Sequence, residues 1–169
     1  MALEIERKFL TLDDTWKASA TGSAHILQGY FARTPLLRAR IRIYGDKGFI
    51  TLKSEGGKLI RHEYEYEIPK AEAVEMIKQF SIEPIITKTR YDVPYGGVVW
   101  AVDVFEGANR GLVLAEAELE TPDQALSMPR WAGREVTNDR HYGNSSLARY
   151  PFVTWDKHGN PPPDGEDGA

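Results

Sequence analysis

In segment after segment of this chain, charged residues fall at every second position: Glu4, Glu6 and Lys8, then Arg38, Arg40 and Arg42, then Glu63, Glu65 and Glu67. The beat returns in Lys88 and Arg90 and in Glu116, Glu118 and Glu120. A β-strand sends alternate side chains to opposite faces, so each set shares one face while Leu3, Ile5 and Phe9, or Ile41 and Ile43, take the other. A half-buried sheet with its polar face in water would account for any single segment. Taken together the segments ask for more. A solvated face mixes charges with Ser, Thr, Asn and Gln, whereas here runs are mainly acidic or mainly basic. Two carboxylates about 4 Å apart repel by roughly 4 kcal/mol at an effective dielectric near 20. The pattern therefore calls for cations between the acids, and neutralising Glu116 or Glu118 is expected to relieve strain in the metal-free protein.

A chain of 169 residues is long enough to bury a core without disulfides or a structural metal. Cysteine is absent, which excludes thiol catalysis and Cys-ligated zinc and fits a reducing compartment. The start, MALEIERKFL, has no apolar signal region and no stretch reaches the length of a membrane helix, so the reading is a cytoplasmic protein with no membrane partner. A net charge of -4 argues against nucleic acid held by bulk positive charge.

Extended segments are expected at 2–10, 25–32, 38–44, 49–53, 59–68, 85–93, 98–105 and 112–120. Gly45-Asp46-Lys47-Gly48 reads as a hairpin, Ser54-Glu55-Gly56-Gly57 as a second loop, and Asp13 or Asp14 as the cap of a helical turn ahead of Trp16. After Pro69 one amphipathic helix is expected, with Ala73, Val74, Ile77 and Phe80 in a single apolar stripe. Eight antiparallel strands with one charged face leave two solutions, an open sheet with a wet side or a closed barrel with a polar interior. Closure removes exposed edges, so the expected fold is mainly β: a closed eight-stranded antiparallel barrel with a charged lumen and a few flanking helices. Residues 1–155 form this domain, the turn-rich 122–150 stretch covers one mouth, and the Pro- and Gly-rich residues 156–169 form a disordered tail.

The inward set has an acidic part, Glu4, Glu6, Glu63, Glu65, Asp103, Glu116 and Glu118, and a basic part, Lys8, Arg40, Arg42, Lys53, Lys88 and Arg90. Carboxylates suit a hard divalent cation, Mg²⁺ or Mn²⁺, while Arg and Lys grip phosphate oxygens. A polyphosphate with metal is the natural guest.

These residues also carry a family pattern. Glu4-Ile5-Glu6-Arg7-Lys8 matches an ExExK signature. Arg40-Ile41-Arg42, Thr51-Leu52-Lys53, Arg61-His62-Glu63-Tyr64-Glu65, Lys88-Thr89-Arg90, Asp103 and Glu116-Ala117-Glu118 follow in order. Over roughly residues 2–150 the chain resembles the CYTH superfamily, the triphosphate tunnel metalloenzymes. It looks most like compact bacterial members that hydrolyse inorganic tripolyphosphate, given LQGYF around Tyr30, the GDKGFITLK hairpin and VTNDRHYGNSSL. The resemblance implies a metal-dependent attack of water on a terminal phosphorus inside the tunnel. It makes Lys8, Arg40, Arg42, Lys53, Lys88 and Arg90 the triphosphate cradle and the seven carboxylates the metal side. Glu6, Lys88 and Tyr30 are the catalytic candidates.

Neighbouring residues are read more plainly. Family spacing selects Arg40 and Arg42 over Arg38, Arg7 faces outward, Glu67 and Glu120 lie at the rim, and Arg140, Tyr142 and Asn144 are structural. None of the four histidines has ligand spacing. Two other readings stay open: an organic triphosphate enzyme such as a thiamine triphosphatase, nucleoside triphosphatase or adenylyl cyclase, and a non-catalytic polyphosphate- or nucleotide-binding module. A homodimer is also left open.

Overall fold

The computed structural model describes residues 2–54 and 60–163. Its eight principal strands are β1 (Ala2–Thr11), β2 (Gly22–Arg33), β3 (Leu37–Tyr44), β4 (Lys47–Ser54), β5 (Ile60–Ile68), β6 (Ile86–Tyr95), β7 (Val98–Phe105) and β8 (Val113–Glu118). They run in the order β5-β4-β3-β2-β6-β7-β8-β1, and β1 pairs back onto β5, so the sheet closes into the expected antiparallel barrel. An unforeseen short strand, β9 (Ala132–Glu135), pairs with the far end of β1. The hairpin at Gly45-Asp46 is tight: Tyr44 pairs with Lys47, and Gly45 adopts φ 61°, a left-handed value that suits glycine.

Period-two alternation puts apolar residues outside, where three clusters cover the barrel. Helix α1 (Lys70–Phe80) lays Ala73 and Ile77 on Ile41 and Ile43, and Gly48 lets it approach, since a Cβ there would stand 2.7 Å from the Cβ of Ala73. The apolar stripe is shorter than expected. Phe80 is 54% exposed because the helix ends there, with Ser81 capping the Ile77 carbonyl, before this last turn meets the cluster. On the other side Phe9, Trp16, Trp100, Val102 and Trp131 interlock, with Trp16 delivered by a short helical turn at Thr15–Ser19. Asp13, not Asp14, accepts the Thr15 N–H at that turn. Each fully buried side chain of this size contributes roughly 1.5–3 kcal/mol, so the outer shell carries the stability and the lumen can be polar.

The third cluster covers one end. Tyr142 and Trp155, together with Leu147 and Ala148 of helix α2 (Asn144–Arg149), pack on Tyr30, Ile86, Phe105 and Leu114. This brings residues 136–145 over one mouth of the barrel. Beyond it, Asp156 organises a turn by accepting the N–H groups of His158 and Asn160. The Glu55-Gly56-Gly57 part of the second expected loop and residues 164–169 of the expected tail lie outside the described residues. Among the described residues no helix is long and apolar enough to cross a membrane.

Candidate active site

The inner faces of the strands enclose two adjoining cavities of about 300 and 410 Å³ that share Glu6, Arg40, Lys53 and Asn144. Lys8, Tyr30, Arg38 and Arg61 line the first, beneath residues 136–145. Glu4, Arg42, Glu63, Glu65, Arg90, Glu116 and Glu118 line the second. Strand register sets the mixture: Lys8 lies opposite Glu116, Lys53 opposite Glu63 and Arg90 opposite Asp103, so acids and bases interleave across the lumen.

Most lumen carboxylates rest on a cation. Lys53 Nζ is 2.7 Å from Glu4 and 3.3 Å from Glu63, and Arg61 Nη2 donates to Glu6 Oε1 at 2.9 Å. Arg42 donates to both oxygens of Glu65, and Glu116 sits 3.3 Å from Lys8 and 3.7 Å from Arg90. Behind this wall Asp103, 0% exposed, takes Lys88 Nζ at 2.6 Å and the Arg90 guanidinium at 2.7 and 2.9 Å. Lys88 reaches on to Asn144 Oδ1 at 3.2 Å, and Lys8 reaches the Tyr142 carbonyl at 3.4 Å. The mouth segment is thus tied to lumen cations.

These surroundings spread the proton affinities. Burial alone would raise the Glu116 carboxyl, but Lys8, Arg90 and Lys88 overcome it and hold it far below the ordinary carboxylate range. Burial and Glu116 raise Glu6, and burial with Glu4, Glu6 and Glu63 raises Glu118. Burial pushes the Lys88 ammonium down to about 8 in spite of Asp103. It likewise works against the charge on Arg40, which Tyr30 and Glu63 restore; burial and Arg40 together lower Arg42. Arg40, Arg42 and Arg61 each bury an Nε–H with no acceptor among the described residues. A buried donor without a partner costs about 1–3 kcal/mol, so holding these guanidiniums in the barrel works against stability.

The CYTH domain profile matches residues 2–150, the whole span that builds this tunnel. The chain belongs to the CYTH family. An inorganic triphosphatase of Acetivibrio thermocellus is 41% identical over 152 residues, covering 90% of this chain and 97% of the relative. One from Nitrosomonas europaea is 39% identical over 150 residues, covering 86% and 96%. The crystal structure of an inorganic triphosphatase superposes with a TM-score of 0.63 at 35% identity, covering 88% of this chain and 95% of that one.

Against this CYTH tunnel the residues chosen from sequence divide in two. Glu4, Glu6, Lys8, Tyr30, Arg40, Arg42, Lys53, Glu63, Glu65, Arg90, Glu116 and Glu118 all line a cavity. Lys88 and Asp103 line neither, because they are buried against each other behind Arg90. Arg7 faces outward onto Glu135 of β9, and Glu67 pairs with Lys47 away from the cavities. Three residues set aside or read as structural do line the site: Arg38, Arg140 and Asn144. Arg61, outside the expected phosphate-binding set, also lines the site; it shares parity with Glu63 and Glu65, and that signal alone places it inward. Glu116 also differs from its expected role: it is strongly paired, so neutralising it would take an ion-pair partner from Lys8 and weaken the field around Arg90 instead of relieving strain.

Proposed function

We propose that this protein hydrolyses inorganic triphosphate to pyrophosphate and phosphate in its tunnel, with a divalent cation, Mg²⁺ or Mn²⁺. The observation that carries the reading is the basic wall, in which Lys8, Arg40, Arg42, Lys53, Arg61 and Arg90 line two adjoining cavities inside the tunnel. The relatives named inorganic triphosphatases, aligned over nearly their whole length, support the same reading.

The donor set fits a hard cation, because the acids on β1, β5 and β8 offer only carboxylate oxygens. Glu4, Glu6, Glu63, Glu65, Glu116 and Glu118 would hold it, and there it would neutralise phosphate charge and activate water. Lys8, Arg40, Arg42, Lys53 and Arg90 bind the phosphate oxygens and stabilise charge on the transferring and leaving groups. Tyr30 lines the first cavity beside Arg40 and favours its charge, which holds that guanidinium ready for the substrate. Glu6 orients the attacking water. Lys88 and Asp103 act from behind as positioning residues, fixing Arg90 on one side and Asn144 on the other.

A phosphate-release assay tests the proposal. Tripolyphosphate is expected to be hydrolysed faster than ATP or pyrophosphate, and only with Mg²⁺ or Mn²⁺ present. Full activity in EDTA would remove the metal from the reading, and a preference for ATP would make it an organic triphosphate enzyme.

A further inference from the structure

Resting on that reading, we infer that Arg61 is a positioning residue that occupies the Glu6 carboxylate in the metal-free protein and passes to phosphate oxygens when a divalent cation takes Glu6. Arg61 Nη2 donates to Glu6 Oε1 at 2.9 Å across the β1–β5 seam, and the Glu6 side chain is largely buried. The same guanidinium lines the cavity with Lys8, Arg40 and Lys53, and its Nε–H is buried without an acceptor among the described residues. Lys53 stands in the same relation to Glu4 and Glu63. Among the described residues, no three His, Asp or Glu side chains converge as they stand on a position for an ion. The carboxylates are arranged around side-chain cations, so an incoming ion has to displace them.

The exchange follows from charge. A dication beside Glu6 attracts the carboxylate with twice the charge of Arg61 and repels the guanidinium. Once displaced, Arg61 keeps its place on β5 and still borders the cavity, with a planar fork of donors matched to phosphate oxygens. Cation and anion then take opposite halves of one ion pair. Each vacates what the other needs, so each strengthens the binding of the other by the same factor.

The first test measures Mn²⁺ alone, by loss of the free-ion EPR signal, with no phosphate present. Arg61→Gln is expected to bind Mn²⁺ about fivefold more tightly than the unmodified protein, the scale of a partly exposed ion pair. Arg7→Gln removes an equal charge from the outer face and leaves the affinity unchanged. The second test titrates inorganic tripolyphosphate in EDTA by calorimetry. Glu6→Gln frees Arg61 and is expected to tighten binding more than Glu118→Gln, which deletes a charge from acidic surroundings, and the excess vanishes in Glu6→Gln/Arg61→Gln. Unchanged or weaker Mn²⁺ binding by Arg61→Gln overturns the inference, as does a Glu6→Gln gain that survives loss of Arg61. Should Arg61→Gln fail to melt cooperatively, Arg61→Met replaces it in both series. Failure of the triphosphatase reading looks different: no phosphate is released from tripolyphosphate with either metal, while these binding differences persist.

Discussion

Glu116 and Glu118 lie two residues apart on β8 and face the same lumen, yet their surroundings pull their proton affinities in opposite directions. Glu116 lies opposite Lys8 and Ala101 in the sheet and is within ion-pair distance of Lys8 and Arg90. Glu118 lies opposite Glu6, and Glu4, Glu6 and Glu63 raise it. One end of the strand is a completed ion network and the other a concentration of like charge. Polarity alone therefore does not define a functional carboxylate. Glu116 starts out neutralised by the cradle, whereas Glu118 stands where like charge gathers.

The sharpest way to break this comparison is at its most anchored member. Asp103→Asn leaves Lys88 and Arg90 buried side by side and is expected to cost about 3–5 kcal/mol of stability, read by denaturant unfolding. A loss below about 1 kcal/mol would mean the network is not anchored through Asp103. Next, Glu116→Gln is expected to lower stability by about 3 kcal/mol at pH 7. Its folded pKa is depressed, so its contribution is present above the unfolded value of 4.5 and is lost as pH falls through that value and below. Melts of the unmodified protein and Glu116→Gln should therefore converge in acid.

Cradle substitutions come third. Arg40→Ala and Arg42→Ala are expected to reduce kcat/KM for tripolyphosphate by amounts corresponding to about 1.5–3 kcal/mol each. Arg7→Ala should leave it nearly unchanged. Equal losses at Arg7 and Arg40 would dissolve the distinction between inside and outside. The smallest effect belongs to Glu118→Gln. Its carboxylate has a raised folded pKa, so ionisation costs stability as pH rises through and above the ordinary carboxylate value, and the neutral variant should melt slightly higher at pH 7. Solvent screening limits the gain to a few tenths of a kcal/mol. Below about pH 4 the two should melt alike. A variant that melts lower at neutral pH would remove the contrast within β8.

The barrel was legible because closure and face follow from period-two alternation, which no tertiary detail can reverse without moving every side chain to the other face. Arg61 was legible by the same rule. Partners were not. Alternation assigns Asp103 and Glu118 to the same interior, but only register and depth give Asp103 two cations and Glu118 a set of acids. Asn144 joins the site because α2 docks beside Tyr30 and Ile86, a long-range contact that no local pattern encodes. Phe80 shows the converse, a residue on the helical period whose place in the last turn leaves it outside the packed cluster.

One feature of the barrel bears on how it opens. A single edge of β1 is divided, with Ala2 to Ile5 pairing to Glu63 through Ile60 of β5, and Phe9 and Thr11 pairing to β9. Among the described residues four pairs close this seam, as many as join β7 to β8, whereas β2 and β3 share seven and β3 and β4 share eight. Amide hydrogens along the β1–β5 seam should consequently exchange with deuterium sooner than those of the β2–β3–β4 wall, through local opening that leaves the outer clusters folded. Glu4, Arg61 and Glu63 sit on that seam and the Arg61–Glu6 ion pair spans it, so one of the shorter joints of the cylinder runs through a highly charged stretch.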